Sequence, residues 1–266
     1  MISFCKYEAL GNDFVLVDYL EGIDYCALSK KLCNRHTGIG ADGLIAVEDA
    51  VISPKMHYFN ADGSCAVLCG NGIRCLAAYC GLKGKKEKQF MVLAEDGAKE
   101  VIVKDENPFL CTFFAGDVVT YGLNIGLKGE ISFWGQQLAL KNIKACIWFV
   151  KLGVPHAVLI NDNGLTDYAE EICSHPLFKE KTNVDFVTLR DKKNIALKTY
   201  ERGVGWTKAC GTGAAASAAV CYKLGYTEKT MDVCFEQGNL LAEIIGEKVF
   251  LTGGANFVFE GRFKEE

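Results

Sequence analysis

A chain of 266 residues has room for one large domain or two modest ones, at about 150 residues per domain. Half of its residues are apolar, 11% are aromatic and Gly and Pro are not in excess, which excludes disordered, collagen-like and low-complexity chains. The net charge is −4 and the basic residues are scattered, apart from a Lys83–Lys88 cluster read as a solvated loop, so no cationic face for nucleic acid or anionic lipid is present.

No apolar run reaches the eighteen or so residues of a bilayer span, and the amino terminus lacks the basic start and apolar stretch of a signal peptide. The expectation is a cytoplasmic protein without membrane or nucleic-acid partners, acting on a small molecule.

In chain order, hydrophobic patterning predicts a strand at Phe14–Leu20, a helix at Tyr25–His36, strands at Leu44–Asp49 and Lys55–Asn60, a helix at Asn71–Leu82 and a strand at Phe90–Glu95. Helices follow at Asp167–Ser174 and Gly213–Leu224, the last closed by Gly225 in the place of a carboxyl-terminal cap. The run Gly38-Ile39-Gly40-Ala41-Asp42-Gly43 matches the dinucleotide fingerprint, but that fingerprint needs a strand before it and a helix after it. Here a helix precedes and a strand follows, so the run reads as a turn.

Thirteen cysteines, an odd number, spread from Cys5 to Cys234 without the density of a disulfide scaffold. The nearest neighbours, Cys65, Cys69, Cys75 and Cys80, have no zinc spacing, so no metal site is expected. Cys5, Cys26, Cys33, Cys111, Cys146, Cys173, Cys221 and Cys234 read as small buried hydrophobes.

Cys69 and Cys210 differ, because each is followed by Gly-x-Gly and then by a run of small or apolar residues that predicts a helix. The device occurs twice, about half a chain length apart, which suggests two similar halves. The segment Cys111–Leu127 then becomes the place of the domain boundary.

A thiol at a helix amino terminus faces unpaired N–H groups, a setting that lowers its pKa. Two such thiols on opposite faces of a carbon could invert it, one removing a proton and the other returning one. The resulting carbanion beside a carboxylate needs fixed dipoles, and the amides of Gly70-Asn71 and Gly211-Thr212 are assigned to that carboxylate. A cysteine-protease reading with Cys69 or Cys210, His156 and an Asn fits the inventory too, but hydrolysis needs only one nucleophile.

The segments KYEALGNDFVLVD, NRHTGIGADGL, NADGSCAVLCGNGIRC, GVPHAV, TNVDFV and ERGVGWTKACGTGAAA, running from Lys6 to Ala216, resemble the successive motifs of the diaminopimelate epimerase family. The resemblance implies an α/β (α+β) fold of two similar domains, each a curved sheet wrapped around a central helix. Residues 1–112, with a tail of about 255–266 packing back, would form one domain and 113–254 the other, the active site lying between them. It implies no metal, pyridoxal phosphate or other cofactor, and a homodimer is left open.

The implied activity interconverts LL- and meso-2,6-diaminopimelate, a precursor of lysine and peptidoglycan. Cys69 and Cys210 are then the acid/base pair, with His156 tuning Cys69 and Glu201 tuning Cys210. Asn12, Asn60, Asn183 and Arg202 match positions that hold this diamino-dicarboxylic acid, Arg202 gripping the distal carboxylate. Three residues depart from the family pattern: Val154 where Asn is typical, Gly43 where Gln is common, and Trp206 where Glu commonly stands. Each loses a polar group, so discrimination against shorter substrates should weaken, with glutamate as the candidate. Two alternatives remain: a proline or hydroxyproline racemase of the same two-thiol type, and a non-catalytic amino-acid-binding protein.

Overall fold

In the computed structural model, which describes residues 1–65, 69–95, 97–120, 127 and 133–264, the chain divides into two compact units, Met1–Phe113 with Thr252–Glu266, and Phe114–Leu251. Of the segment Cys111–Leu127, residues 121–126 lie outside the described residues.

The first unit begins with β1 (Ile2–Ala9) and β2 (Asn12–Asp18), a hairpin closed by Leu10 and Gly11. Both turn residues have positive φ, 54° and 77°, the condition for the tight two-residue turn that matches strand twist. Helix α1 (Tyr25–Cys33), β3 (Gly43–Glu48), β4 (Lys55–Asn60), helix α2 (Gly70–Leu82), β5 (Gln89–Ala94), β6 (Gly97–Glu106) and β7 (Phe109–Asp117) follow, β7 counting with the first unit only as far as Phe113. The strand predicted at Lys55–Asn60 is found with those bounds, and the other three predicted strands are each displaced by one or two residues.

The second unit contains β8 (Trp134–Ala139), β9 (Lys144–Leu152), β10 (Val154–Ile160), a 3-10 helix (Asn163–Tyr168), α3 (Ala169–Cys173), β11 (Asn183–Asp191), β12 (Asn194–Glu201), the short β13 (Gly205–Thr207), α4 (Gly211–Lys223), β14 (Thr230–Phe235) and β15 (Gly238–Ile245). Strand β16 (Lys248–Gly254) follows, and β17 (Asn256–Phe263) belongs to the first unit.

Strand pairing reveals a duplication that residue identities hardly show. Along β17, β1, β2, β3, β4, β5 and β6 the successive pairs are antiparallel, antiparallel, parallel, antiparallel, parallel and antiparallel. Along β8, β9, β10, β11, β12, β14 and β15 the series is the same. Parallel neighbours need a crossover connection, and each parallel step carries one: α1 and α2 in the first unit, the 3-10 helix with α3 and then α4 in the second.

Helix α2 buries Ile73, Cys75, Leu76, Ala77, Tyr79 and Cys80, and α4 buries every residue from Gly213 to Cys221. A helix apolar on all sides belongs inside a core, and the small side chains of Ala214–Ala219 keep α4 slim enough to be covered. Helix α1 is one-sided, burying Tyr25, Leu28, Ser29, Leu32 and Cys33.

Several expectations need correction. Helix α1 stops at Cys33 because Asn34 Oδ1 accepts from the amides of His36 and Thr37, an Asx turn that competes with a further helical turn. Between Asp167 and Ser174 only Ala169–Cys173 is α-helical, the 3-10 helix occupying the preceding residues. Cys26 is exposed and Cys146 half-buried. Lys85 is no solvated loop residue: its Nζ donates to the carbonyls of Val51 at 2.6 Å and Ile52 at 3.3 Å, with its side chain 3% exposed.

The second glycine of each Cys-Gly-x-Gly is dictated by packing. A Cβ on Gly213 would lie 2.4 Å from Asp185 Oδ1, and one on Gly72 would lie 2.9 Å from Met56 Cε. Gly213→Ala is therefore expected to destabilise the protein by about 1–3 kcal/mol through overpacking, despite a gain of about 1 kcal/mol in helix propensity. Gly81→Ala in α2, where a Cβ would meet nothing within 4 Å, should instead stabilise by about 0.5–1 kcal/mol. Urea unfolding checks both, and equal stability of Gly213→Ala and wild type would contradict the packing argument.

Candidate active site

Helices α2 and α4 are each 13 residues long and each begins on a cysteine in extended backbone conformation. Cys69 (φ −138°, ψ 111°) accepts at Sγ from the Gly72 amide at 3.4 Å, and Cys210 (φ −118°, ψ 115°) accepts from the Gly213 amide at 3.4 Å. The sulfurs thus stand where Ser, Thr or Asp usually caps a helix. Gly70, Asn71, Gly211 and Thr212 lie in the same first turns, where no preceding turn exists to accept from their amides.

In the first unit Cys69 is half-buried, and Asn12 Nδ2 lies 4.0 Å from its sulfur. Asn12 follows the tight β1–β2 turn, and its neighbour Asp13 is clamped from two sides. Arg35 donates to both Asp13 oxygens, at 3.0 and 2.7 Å, while Lys6 Nζ stands 2.7 Å from Oδ2 and also donates to the Gly40 carbonyl. Burial opposes ionisation of Asp13, but these cations hold its carboxyl well below the usual range. The Gly38–Gly43 run is accordingly a turn that carries Asp42 to Arg35 at 2.7 Å. Asn60 ends β4 and donates from Nδ2 to Ser64 Oγ at 2.9 Å.

Sequence reasoning missed Arg74, which lies one helical turn after Gly70 with its guanidinium fully buried. It donates to the Gly254 carbonyl at 3.0 Å, the Gly70 carbonyl at 3.4 Å and Asn71 Oδ1 at 2.9 Å. This cation interacts electrostatically with Cys69, although burial pulls its own pKa down. Inside an otherwise apolar helix, the arginine was itself the signal.

In the second unit Cys210 is buried, its sulfur 3.4 Å from Thr212 Oγ1 and interacting electrostatically with the Glu201 carboxyl. Thr207, also missed, donates to Glu201 Oε1 at 2.6 Å. Burial pushes the Glu201 carboxyl up, against the lowering effects of Thr207, His156 and Cys210. The Cys210 thiol is raised well above its ordinary value, chiefly by burial and then by Glu201 and Asp185, with Thr212 and the Gly213 amide acting the other way. For Cys210 this corrects the expectation of a lowered pKa: the helix terminus acts in that direction, but burial beside two carboxyl groups outweighs it.

His156 lies in the second unit, fully buried, with Nδ1 2.6 Å from Asp185 Oδ2. Thr199 donates to the other Asp185 oxygen at 2.7 Å, and His156 Nε2 has no hydrogen-bond partner among the described residues. Asp185 and Thr199 are further residues that sequence reasoning did not select, although Asp185 lies inside the TNVDFV segment. Asn183, buried and in register with His156, accepts from the Arg202 amide at 3.0 Å. The Arg202 guanidinium reaches the Glu180 carbonyl at 3.1 Å and its carboxylate at 3.7 Å.

The three departures have different surroundings. Val154 opens β10 two residues before His156, on the same face of the strand. Trp206 is half exposed and packs edge-on to Tyr200 and at a tilt to Phe186. At Gly43 a Cβ would lie 2.5 Å from the Tyr58 ring and 3.2 Å from its hydroxyl.

The diaminopimelate epimerase family model matches residues 4–120 and 148–258. The diaminopimelate epimerase of Caldanaerobacter subterraneus subsp. tengcongensis is 40% identical, covering 99% of this chain and 100% of that protein. The diaminopimelate epimerase of Archaeoglobus fulgidus is 35% identical over 98% of this chain and 95% of its own length. Among solved structures, a hydroxyproline epimerase from Agrobacterium vitis with bound trans-4-hydroxy-L-proline superposes with a TM-score of 0.68 at 12% identity, covering 98% of this chain and 91% of that one. A phenazine biosynthesis protein of the PhzF family from Enterococcus faecalis gives 0.69 at 12% identity, covering 98% of both chains. These two share the fold.

The raised Glu201 pKa has a consequence for stability. A carboxyl that holds its proton more tightly when folded contributes stability that is complete below its unfolded pKa and lost as pH rises through the folded one. Glu201→Gln should therefore melt close to wild type at pH 4 and above it at pH 8, as read by thermal unfolding at both values. A melting point lowered equally at both would contradict the burial effect.

Proposed function

The chain belongs to the diaminopimelate epimerase family, and on that premise we propose that it interconverts LL- and meso-2,6-diaminopimelate by passing protons through Cys69 and Cys210. The observation that carries the reading is the repeated cap: in two units with one strand order, a cysteine sulfur starts a buried helix and accepts the amide of the third residue along, at 3.4 Å in both. The chain bears no helix long and apolar enough to cross a membrane among its described residues.

In this reading a thiolate on one side of the α-carbon takes its hydrogen as a proton, leaving the C–H electron pair on carbon and, by conjugation, on the carboxylate. The amides at the two helix amino termini stabilise that charge. The thiol on the other side then delivers its proton to the opposite face, and the two sulfurs end with their protonation states exchanged.

Cys210 is assigned as the resting thiol, since burial, Glu201 and Asp185 all oppose its ionisation, which leaves Cys69, on which the Arg74 cation acts, as the member that starts the proton transfer. Asn12, Asn60, Asn183 and Arg202 hold the substrate, Arg202 exchanging its exposed contact with Glu180 for the distal carboxylate. His156, oriented by Asp185, presents Nε2 as a polar atom in need of a partner. The Val154 side chain offers no hydrogen bond on the His156 face of β10, so the enzyme also accepts glutamate at a lower rate.

Incubation in deuterium oxide with LL-diaminopimelate, L-glutamate or trans-4-hydroxy-L-proline tests substrate and chemistry together. Solvent deuterium should enter the α-carbon of diaminopimelate with inversion, more slowly that of glutamate, and not that of hydroxyproline. Cys69→Ser and Cys210→Ser should each reduce inversion by roughly 10²–10⁴-fold while ligand binding persists. Loss through only one of the two would refute the two-thiol reading, and a lack of any D-glutamate at high enzyme concentration would remove the extension.

The assigned resting states make a separate prediction. In ligand-free protein at pH 7, iodoacetamide should alkylate Cys69 ahead of Cys210, read by mass spectrometry of the two cysteine peptides, and the reverse order would overturn the assignment.

A further inference from the structure

Two thiols outside this pair also meet. Cys26 and Cys65 are both exposed, in contrast to the interior of the same unit, where Cys75 is fully buried and burial pushes Cys80 and Cys111 up to about 12. Cys26 is the second residue of α1 and falls off the buried face formed by Tyr25, Leu28, Ser29, Leu32 and Cys33. Cys65 ends the turn after β4, where it bridges back to Phe59.

The two segments are fixed against each other. Ser29 Oγ donates to the Asn60 carbonyl at 2.7 Å, and a Cβ on Gly63 would lie 2.6 Å from the Cys26 carbonyl oxygen, so the turn rests directly on the first turn of α1. The turn is internally braced: the Asn60 amide donates to the Ser64 carbonyl at 2.9 Å, and the Ser64 amide and hydroxyl donate to Asp62 Oδ1 at 2.8 and 2.6 Å. Within this contact Cys26 and Cys65 act on each other electrostatically, and the Cys26 thiol is raised from its ordinary value, first by desolvation and then by Cys65.

We propose that Cys26 and Cys65 form a thiol–disulfide exchange site that reacts with small disulfides from solution and closes to an intramolecular disulfide. One thiolate attacks a sulfur of the incoming disulfide, breaking its S–S bond and releasing a thiolate that takes up a proton. The second protein thiolate then attacks the protein-bound sulfur of the mixed disulfide, forms the Cys26–Cys65 bond and expels the second small thiol. Two protein thiols are oxidised while one small disulfide is reduced to two thiols, so electrons and protons balance. Exposure lets the oxidant in, and an adjacent partner makes the second step intramolecular.

The bond would join α1 to the turn after β4. The site stands on its own geometry and does not depend on the epimerase reading.

The test treats the full chain with oxidised glutathione, blocks remaining thiols with iodoacetamide and maps tryptic peptides. Residues 7–30 contain Cys26 alone, and residues 56–74 contain Cys65 and Cys69, so the test is repeated in Cys69→Ser, which leaves one thiol in the second peptide. The expected result is a 7–30/56–74 cross-link in wild type and in Cys69→Ser, opened by dithiothreitol and absent from Cys26→Ser and Cys65→Ser. Cys26→Ser should instead accumulate a stable glutathione adduct on Cys65. Separate adducts on Cys26 and Cys65 without cross-linking, or a cross-link that vanishes in Cys69→Ser, would overturn the proposal.

Discussion

The structure turns on a hydrogen bond from a glycine amide to a sulfur three residues earlier, made once in each unit. Sulfur is a weak acceptor, and a hydroxyl or carboxylate in the same place would cap the helix better, by something on the order of 1 kcal/mol. A stability-optimised helix would not begin this way. The sequence keeps cysteine there twice and surrounds it with the features the contact needs: extended backbone at the cysteine, a glycine without a Cβ at the third helical position, and a helix thin enough to be enclosed. Enclosure in turn strengthens the terminal amides, since a helix end away from water is little screened.

The backbone repeats, but the charges around it do not. Beneath Cys69 lies Arg74, a buried cation bonded to two carbonyls and the Asn71 amide oxygen. Beside Cys210 lie Glu201 and Asp185, two carboxyl groups of which the second is fully buried and held by His156 and Thr199. Equal helix termini thus act on sulfurs in opposite fields. Symmetric backbone with antisymmetric charge suits a pair in which one member starts with a proton and the other without, a division that two identical half-sites would have to reach by chance.

What could be read in the sequence follows from range. The two capped helices were legible because the signal is local: a cysteine, two glycines and a run of small residues within a dozen positions. Helix α1 was placed, but its end was not, since Asn34 takes the amides of His36 and Thr37 by a contact that hydrophobic spacing does not register. The exposure of Cys26 was available in principle, because Tyr25, Leu28, Ser29, Leu32 and Cys33 mark a helical face that excludes it. The His156–Asp185 contact was not, since two residues on neighbouring parallel strands and 29 apart in sequence carry no joint pattern. Likewise the duplicated strand order lives in pairings, and the residues of the two halves preserve little beyond their caps.

The three departures from the family pattern are not equivalent once their neighbours are considered. Trp206 covers Tyr200 and Phe186 at the surface, so its ring answers a packing need of the β12–β13 hairpin. Gly43 cannot be considered without Tyr58, whose ring fills the space a side chain at 43 would use and whose hydroxyl stands 3.2 Å from that vacant Cβ position. A glutamine at 43 and the Tyr58 ring in this place exclude one another, and the Tyr58 hydroxyl sets a polar group here from the neighbouring strand. Val154 has no such compensation: it shares a face of β10 with His156 and supplies only methyl groups. The proposed widening of substrate range therefore rests on residue 154, whose side chain shares the His156 face of β10 and offers no hydrogen bond.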